Sequence, residues 1–497
     1  MNINAFRHYG KLMIDLVANY WGSLRKRTPL PGVKPGFMNK LIPQDPPIMG
    51  EPWEEIFNDI DKIIIDGNTH WQHPNFFAYF PTGISYQAIM GDILSGGLAS
   101  IGFSWKSSPS MTELEMSMTN WLAKALQLPA EFLNTENGCG MGIIQTSASD
   151  ATYIAIVAAR GRAIEVSLIR IKASEDAIKQ EQKIVSDDSG ELYHYPYHDP
   201  AIMTKLVVYC SDQAHTSVEK GSMMAAVRLR KLKTIRGGPF DNFFVTAKVL
   251  EEAIMIDRKN GLVPFIFIMT LGTTSSCGID PVDELGPICS FLLCPEYRYL
   301  SRGFEYLDSF NVNAHKALPI NFDCSPMWFR NGKQILKYFK INAVYLKHDQ
   351  TCATDYRHLQ IALGRRFRSL KIWFVLRNMG INGLQKHLRK TVELAKNFET
   401  LIQKDSLLEL FLPRTFGTIC FRIKDSTNAM NEELNRRINE DRRIHIVASA
   451  IHGIYFLRLS VCSPLTTHED ISQAHAIIHN FAKDVLKNMK RTNIAQA

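Results

Sequence analysis

The chain has 497 residues, of which 45% are hydrophobic and 21% are charged. This composition is typical of a folded globular protein and excludes a disordered or fibrous one, and the length allows two or three structural domains. The formal net charge of +8 is a small basic excess for this length, so we expect no nucleic-acid partner. The basic cluster Arg365-Arg366-Phe367-Arg368 is predicted to be a solvated helix start.

The nine cysteines lie singly along the chain and form no Cys-x-x-Cys pair, so the sequence predicts neither a disulfide framework nor a zinc site. Met1-Asn2-Ile3-Asn4 leads directly into a polar helical pattern, without an apolar signal region. No run of about 20 apolar residues occurs in the sequence. We therefore expect no metal centre, no membrane span and a cytoplasmic location.

The first part of the sequence predicts two helices joined by an extended arm. Residues 5–25 and 53–65 carry apolar positions at roughly helical spacing, and residues 29–52 are rich in proline. These elements cannot bury their apolar faces alone. They pack either on the body of the same chain or on another subunit, and we favour another subunit.

Two aromatic segments follow, at residues 71–80 and 101–105. They are either ordinary core or the wall of a pocket for a flat apolar substrate, because aromatic faces pack well on aromatic rings. Further on, a turn with small hydroxyl residues (145–149) opens a strongly helical stretch (150–159). This turn is either an ordinary serine N-cap or an anion site, because the first turn of a helix presents free N–H groups.

Buried-type strands are predicted at residues 206–210 and 263–270, with a variable excursion at 164–200. His215 follows the first strand, where open α/β sheets place ligands, although a lone histidine is more often structural. Strands that alternate with helices indicate a mostly parallel sheet. Beyond residue 371, helices at 384–401 and 468–489 and strands at 417–423 and 455–461 predict a smaller α+β domain.

Lys316 lies between apolar segments, at the end of Asn313-Ala314-His315-Lys316 and before the apolar run 317–322. Burying an ammonium group is costly unless the group is paired or has lost its charge. One interpretation is a surface lysine at a turn. The other is a desolvated amine that reacts as the free base, which is what a Schiff base with an aldehyde cofactor requires.

The segment at 313–316, followed by Asn321-Phe322-Asp323-Cys324, resembles the cofactor-lysine segment of the pyridoxal-phosphate-dependent aromatic amino acid decarboxylases. The turn at 145–149, the block at 211–220 and both aromatic segments are similar to the same family, and the similarity covers nearly the whole chain. The resemblance implies an α/β protein of pyridoxal-phosphate fold type I that binds pyridoxal 5'-phosphate and is a homodimer. It also implies an N-terminal helical dimerisation arm (1–85), a large cofactor-binding domain with a mostly parallel sheet (86–370) and a small C-terminal α+β domain (371–497).

The resemblance implies a role for each candidate site residue. The catalytic candidates are Lys316, which would hold the cofactor aldehyde, His215, which would stack on the ring, and Tyr345, which would supply a proton from a mobile loop or, in the alternative, only pack. The remaining cofactor contacts would come from Ala148, Ser149, Thr274, Asn313 and, across the dimer interface, Leu363 and Gly364. The substrate contacts would come from Trp71, Tyr79, Phe80, Thr82 and Phe103.

Two smaller departures from the family lie close to the expected site. Ala317 stands where the family usually has Trp, which is expected to leave a void behind the cofactor. The loop at 349–354 is short and lacks glycine, so its closure over the site is expected to differ.

The largest departure follows Cys289. The family has a strand here that ends in His-x-Asp-Ala-Ala-Tyr-Ala-Gly, whereas this chain passes through Ser290 directly to Phe291. The resemblance implies that the missing Asp would keep the pyridine nitrogen protonated, and neither Asp280 nor Asp308 replaces it. We therefore expect two neighbouring strands with unpaired backbone groups and poor turnover. A skipped exon, a gene-model error or a decayed paralogue would each explain the gap.

Three functions remain open at this point. The first, which we favour, is decarboxylation of an aromatic L-amino acid (of the tyrosine, dopa, tryptophan or histidine type) to its amine. The second is a catalytically impaired family member that acts only through dimerisation or ligand binding. The third is an aldehyde-forming relative. His215 argues against this function, because such relatives typically carry Asn at that position.

Overall fold

A computed structural model describes residues 2–80, 82–175, 197–282, 291–340 and 355–496. The chain divides into two units, one formed by Met1–Thr82 with Arg389–Ala497 and the other by Gly83–Leu388. The division into an arm, a large domain and a small domain stays a prediction.

The helices agree with most of the sequence predictions. In chain order they are α1 (Ile3–Ser23), α2 (Trp53–Asp59), α3 (Tyr86–Leu98), α4 (Pro109–Ala125), α5 (Ala148–Glu175), α6 (Pro200–Met203), α7 (Thr216–Met224), α8 (Ala247–Lys259), α9 (Ala314–Ala317), α10 (Gly332–Phe339), α11 (Ser369–Lys404), α12 (Asn428–Asp441) and α13 (His468–Gln496). The prediction of an excursion from residue 164 is wrong at its start, because α5 continues to Glu175, and residues 176–196 lie outside the described residues. A break at Gly380, with φ of 65°, interrupts α11, and glycine adopts this left-handed backbone at little cost.

The strands form several separate sheets. They are β1 (Met141–Gln145), β2 (Leu206–Ser211), β3 (Arg228–Leu232), β4 (Ile235–Gly237), β5 (Asn242–Phe244), β6 (Val263–Ile268), β7 (Ser309–Asn311), β8 (Ser325–Phe329), β9 (Leu408–Thr415), β10 (Thr418–Ile423), β11 (Val447–Ile451) and β12 (Ile454–Ser460). Together with the helices they confirm the α/β fold that the sequence predicts, and the C-terminal strands pair in antiparallel fashion.

In the unit formed by Gly83–Leu388, two three-stranded sheets carry the segments around the candidate cofactor site. One has the parallel order β3-β2-β6, and the other has the antiparallel order β1-β8-β7. All residues of β1, β2 and β8 are buried, whereas every residue of β6 is only partly buried. The sequence predicts β6 as a central strand, but among the described residues it lies at the end of its sheet.

The other unit has its core around the C-terminal sheet, whose order is β11-β12-β10-β9. Apolar residues of α11, α12 and α13 pack against this sheet, together with Phe77. The N-terminal α1 contributes no buried residue, and an ion pair of 2.8 Å between Arg25 and Asp470 attaches the chain just beyond it. None of the described helices combines the length and apolar character that crossing a bilayer requires.

Candidate active site

The turn at the start of α5, which the sequence predicts as either a serine N-cap or an anion site, begins the helix with a capping serine. Ser147 caps the helix, since its Oγ accepts the N–H of Asp150 at 3.2 Å. The N–H of Ala148 donates to Oδ1 of Asn313 at 3.2 Å, which brings two candidate cofactor residues together. Ser149 lies exposed in the first helical turn. Backbone N–H groups at the start of such a helix favour a bound phosphate.

His215 lies just beyond the carboxyl end of β2 and caps α7. Its Nδ1 accepts the N–H of Ser217 at 3.1 Å. Burial lowers the pKa of His215, and the charge of Lys316 lowers it further, so these two candidates lie within electrostatic reach of each other. A neutral imidazole whose Nδ1 accepts a hydrogen bond carries its proton on Nε2. The lowered pKa favours an uncharged ring at His215.

Lys316 is half-buried in α9, and its main-chain N–H donates to the carbonyl of Asn313 at 3.1 Å. The preceding His315 is 4% exposed, and burial lowers its pKa to about 4. Its Nδ1 lies 2.9 Å from the main-chain N of Cys324, and its carbonyl accepts the N–H of Gly83 at 2.6 Å. The residue before the candidate cofactor lysine is thus neutral and held on two sides.

Thr274 is exposed in the turn that follows β6. The next residue, Ser275, donates to Oε1 of Gln213 at 3.1 Å, which ties this turn to the loop that carries His215. Asp280 is 2% exposed and accepts two backbone N–H groups at 2.9 Å, and burial raises its pKa to about 6. Its carboxylate is therefore engaged in holding backbone.

The candidate substrate residues at 71–82 belong to the other unit. Trp71 and Tyr79 stack with ring centroids 5.5 Å apart, and Tyr79 is 49% exposed. The guanidinium of Arg458 lies over the ring of Phe80 at 5.0 Å. The N–H of Phe77 donates to the carbonyl of His445 at 2.8 Å, which fixes this aromatic group to the C-terminal part of the unit. The carbonyl of Thr82 accepts a hydrogen bond from Nε2 of Gln72.

The remaining candidates are placed separately. Phe103 is half-buried, and its carbonyl accepts the N–H of Arg357 at 3.3 Å. Leu363 and Gly364 are exposed. Tyr345 and the loop at 349–354 lie outside the described residues.

The prediction of a solvated cluster at 365–368 is wrong for two of its arginines, which are buried and each pair with an acid. Arg365 is 4% exposed and pairs with Glu115. Arg368 is 7% exposed and donates to Asp323 at 2.8 Å.

Lys371 is a further buried charged residue that the sequence analysis missed. It is 1% exposed, and its ammonium group reaches the segment that follows Lys316. The signal for it was present in the sequence, since Lys371 stands between Leu370 and Ile372 as Lys316 stands between apolar segments.

The chain is similar to known proteins over nearly its whole length. Residues 35–424 match the pyridoxal-dependent decarboxylase conserved domain. The chain is 44% identical to an aromatic-L-amino-acid decarboxylase of Cavia porcellus, with 98% of this chain and 99% of that protein covered. A crystal structure of Catharanthus roseus tryptophan decarboxylase in complex with L-tryptophan has a TM-score of 0.84 at 33% identity, with 98% and 99% of the two chains covered. A crystal structure of Oryza sativa TDC with PLP and tryptamine has a TM-score of 0.86 at 30% identity, with 97% and 99% covered.

The residues described above fit pyridoxal 5'-phosphate at two of its functional groups. A half-buried amine beside a neutral imidazole suits the aldehyde, and the start of α5 suits the phosphate. The family resemblance that the sequence predicts is confirmed by the matched domain and by the relatives. The chain belongs to the pyridoxal-dependent decarboxylase family.

Proposed function

We propose that the chain decarboxylates an aromatic L-amino acid to the corresponding amine, with pyridoxal 5'-phosphate as cofactor. The observation that carries this proposal is the grouping of Lys316, His215 and Asn313 in one unit, with Asn313 bound to the first residue of α5. The substrate class rests on the names of the relatives, which include aromatic-L-amino-acid decarboxylases and a tryptophan decarboxylase.

When bound, the cofactor supplies the electron sink for the bond that breaks between Cα and the carboxylate. We assign to Lys316 the bond to the cofactor aldehyde, and to the first turn of α5, at Ala148 and Ser149, the phosphate. His215 offers a flat, neutral ring for stacking, and it adds no positive charge beside the Lys316 amine. Thr274 and Asn313 would orient the ring and its neighbouring groups.

For the substrate, the proposal assigns the aromatic ring to the group formed by Trp71, Tyr79 and Phe80, with Phe103 and Thr82 as further contacts. Stacked aromatic faces such as Trp71 and Tyr79 favour another flat ring over an aliphatic chain. Tyr345 is proposed as the proton donor.

We further propose that the protein is a cytoplasmic homodimer in which Leu363 and Gly364 of the partner subunit complete the phosphate site. Exposed apolar residues on α1 support a partner surface, since Ile3 is 65% and Phe6 is 63% exposed. Sedimentation at micromolar concentration tests the dimer. Phe6→Asp should weaken association, whereas Lys11→Ala on the same helix should not. A monomeric full-length protein would contradict this part of the proposal.

A catalytically impaired family member is the second candidate. Two observations on β6 favour it. Every residue of β6 is partly exposed, and among the described residues β6 is the last strand of its sheet. Such a protein would bind cofactor and substrate without releasing carbon dioxide.

The deciding experiment incubates the protein, saturated with pyridoxal phosphate, separately with L-tyrosine, L-dopa, L-tryptophan and L-histidine. Carbon dioxide and amine in equal amounts are expected for at least one of them. Binding of an aromatic amino acid without either product would favour the second candidate. Aldehyde with ammonia in place of amine would instead indicate the aldehyde-forming reaction.

A further inference from the structure

The buried ammonium group of Lys371 contacts the segment that follows Lys316. The ammonium group of Lys371 donates to the carbonyls of Asn321 at 3.2 Å and Asp323 at 3.0 Å. Carboxylate oxygens of Asp92 and Asp323 lie 3.5 and 3.9 Å from it. A buried charge is tolerated only where such partners replace water. The side chain is therefore held by four oxygen atoms, and two of them belong to the backbone of one loop.

That loop, residues 318–323, follows α9 and is closed at its base. The N–H of His315 donates to the carbonyl of Cys324 at 3.2 Å, and the N–H of Cys324 donates to Nδ1 of His315 at 2.9 Å. Lys316 is the first residue after this closure. The hydroxyl of Ser85 donates to the carbonyl of Pro319 at 2.6 Å, so the loop is held at its middle as well as by Lys371 at its far end.

The position of Lys371 is itself restricted. A Cβ atom added at Gly91 would lie 2.9 Å from both the N and the Cα of Lys371, so α3 and α11 approach closely here. Asp92, the next residue of α3, also accepts a hydrogen bond from the side chain of Asn321. Arg368 pairs with Asp323, so two cations balance two carboxylates around the loop.

We propose that Lys371 is a positioning residue for Lys316, because its two hydrogen bonds to the carbonyls of Asn321 and Asp323 hold the loop in the conformation from which the Lys316 amine reaches the cofactor aldehyde. The inference rests on the proposed role of Lys316 as the cofactor lysine. Lys371 then has two roles: its charge balances that of Asp92, and its hydrogen bonds fix the backbone of the loop.

The two roles are distinguished by Lys371→Met and by the double variant Lys371→Met with Asp92→Asn. The double variant restores the charge balance but not the two bonds to the loop carbonyls. Arg377→Met is the control, since Arg377 lies on the same helix, exposed, over the ring of Trp373 at 5.3 Å. The cofactor-free proteins are mixed with pyridoxal phosphate. The rate of bond formation is followed by absorbance, the bonded lysine is identified after borohydride reduction, and thermal unfolding of the cofactor-free protein is recorded.

We expect both Lys371 variants to form the bond on the order of tenfold to a hundredfold more slowly than the unsubstituted protein. The double variant should unfold at a higher temperature than Lys371→Met and still react slowly, while the control should match the unsubstituted protein. If Lys371→Met does not fold, the double variant alone decides. Bond formation at the unsubstituted rate in either variant would overturn the inference. If only the double variant reacts at that rate, the role of Lys371 is to balance the charge of Asp92 and not to position the loop. Cofactor trapped on another lysine of the unsubstituted protein would overturn the assignment of Lys316, and this inference with it.

Discussion

The N–H of Ala148 donates to the side-chain oxygen of Asn313 at 3.2 Å, across 165 residues of sequence. The bond joins the first residue of α5 to the segment that carries Lys316. His215 lies within electrostatic reach of that lysine, which contributes to its lowered pKa. The start of α5, the Lys316 amine and the His215 imidazole thus come from three distant segments of one unit.

The first prediction concerns Lys316. Lys316→Ala should abolish the visible absorbance and the borohydride-stable label that pyridoxal phosphate gives with the unsubstituted protein, because it removes the amine that we assign to the bond with the aldehyde. Lys333→Ala, at an exposed lysine of the same unit, is the control and should keep both signals. A label that persists in Lys316→Ala would show that another lysine binds the cofactor.

The second prediction compares a buried with an exposed ion pair. The side chains of Arg365 and Glu115 are each 1% exposed, and Glu115 also accepts the N–H of Ile144 at 2.7 Å. Arg365→Met should lower the free energy of unfolding by about 3–5 kcal/mol, because it leaves a buried carboxylate without its cation. Arg436→Met, at an arginine whose side chain is 53% exposed, should cost far less, because water screens its ion pair. Urea unfolding measures both, and equal losses would contradict the argument.

The third prediction concerns stability against pH. Burial lowers the pKa of His73, His315 and His445 from 6.5 to about 4. Between these values the unfolded chain binds more protons, so the folded state loses stability as the pH falls from 6.5 to about 4, by up to about 3 kcal/mol per histidine. Asp280, whose pKa is raised to about 6, opposes this, because its folded form binds the proton first as the pH falls.

With three histidines against one aspartate, the free energy of unfolding should fall between pH 7 and about pH 4.5. Urea titrations at several pH values measure the change, and His445→Gln should make it smaller. An unfolding free energy that stays constant over this range would refute the prediction.

The local parts of the site could be predicted from sequence, whereas the distant pairs could not. The turn before α5 and the segment around Lys316 are short motifs whose residue types alone suggest anion and aldehyde chemistry. The burial of Arg365 depends on Glu115, 250 residues away. No local pattern encodes such a pairing, so a charged cluster was interpreted as solvated. Lys371 was missed although the argument used for Lys316 applies to it.

The location of β6 also differs from the prediction for a physical reason. Its residues, Val-Pro-Phe-Ile-Phe-Ile, have the apolar pattern of a strand covered on both faces, yet all six are only partly buried. Among the described residues, one three-stranded sheet ends at β6 and another at β7. The family strand that the sequence analysis finds missing would follow β6 and precede β7 in the chain. If that strand normally lies between β6 and β7, its loss divides one sheet into two.

The last prediction is that this chain turns over poorly, and that restoring the strand raises turnover. A family-like segment, His-Val-Asp-Ala-Ala-Tyr-Ala-Gly, is inserted between Cys289 and Phe291, and a matched insert carries Asn in place of its Asp. Both inserts should raise the unfolding temperature, since they supply backbone partners to β6 and β7. Only the insert with Asp should raise turnover, on the order of a hundredfold, because a charge-assisted bond worth about 3 kcal/mol then keeps the ring nitrogen protonated. Turnover of tyrosine, dopa and tryptophan at saturating cofactor measures the effect. An equal increase in turnover from both inserts would show that the strand alone, without its Asp, causes the effect. No increase in turnover from either insert would refute the prediction.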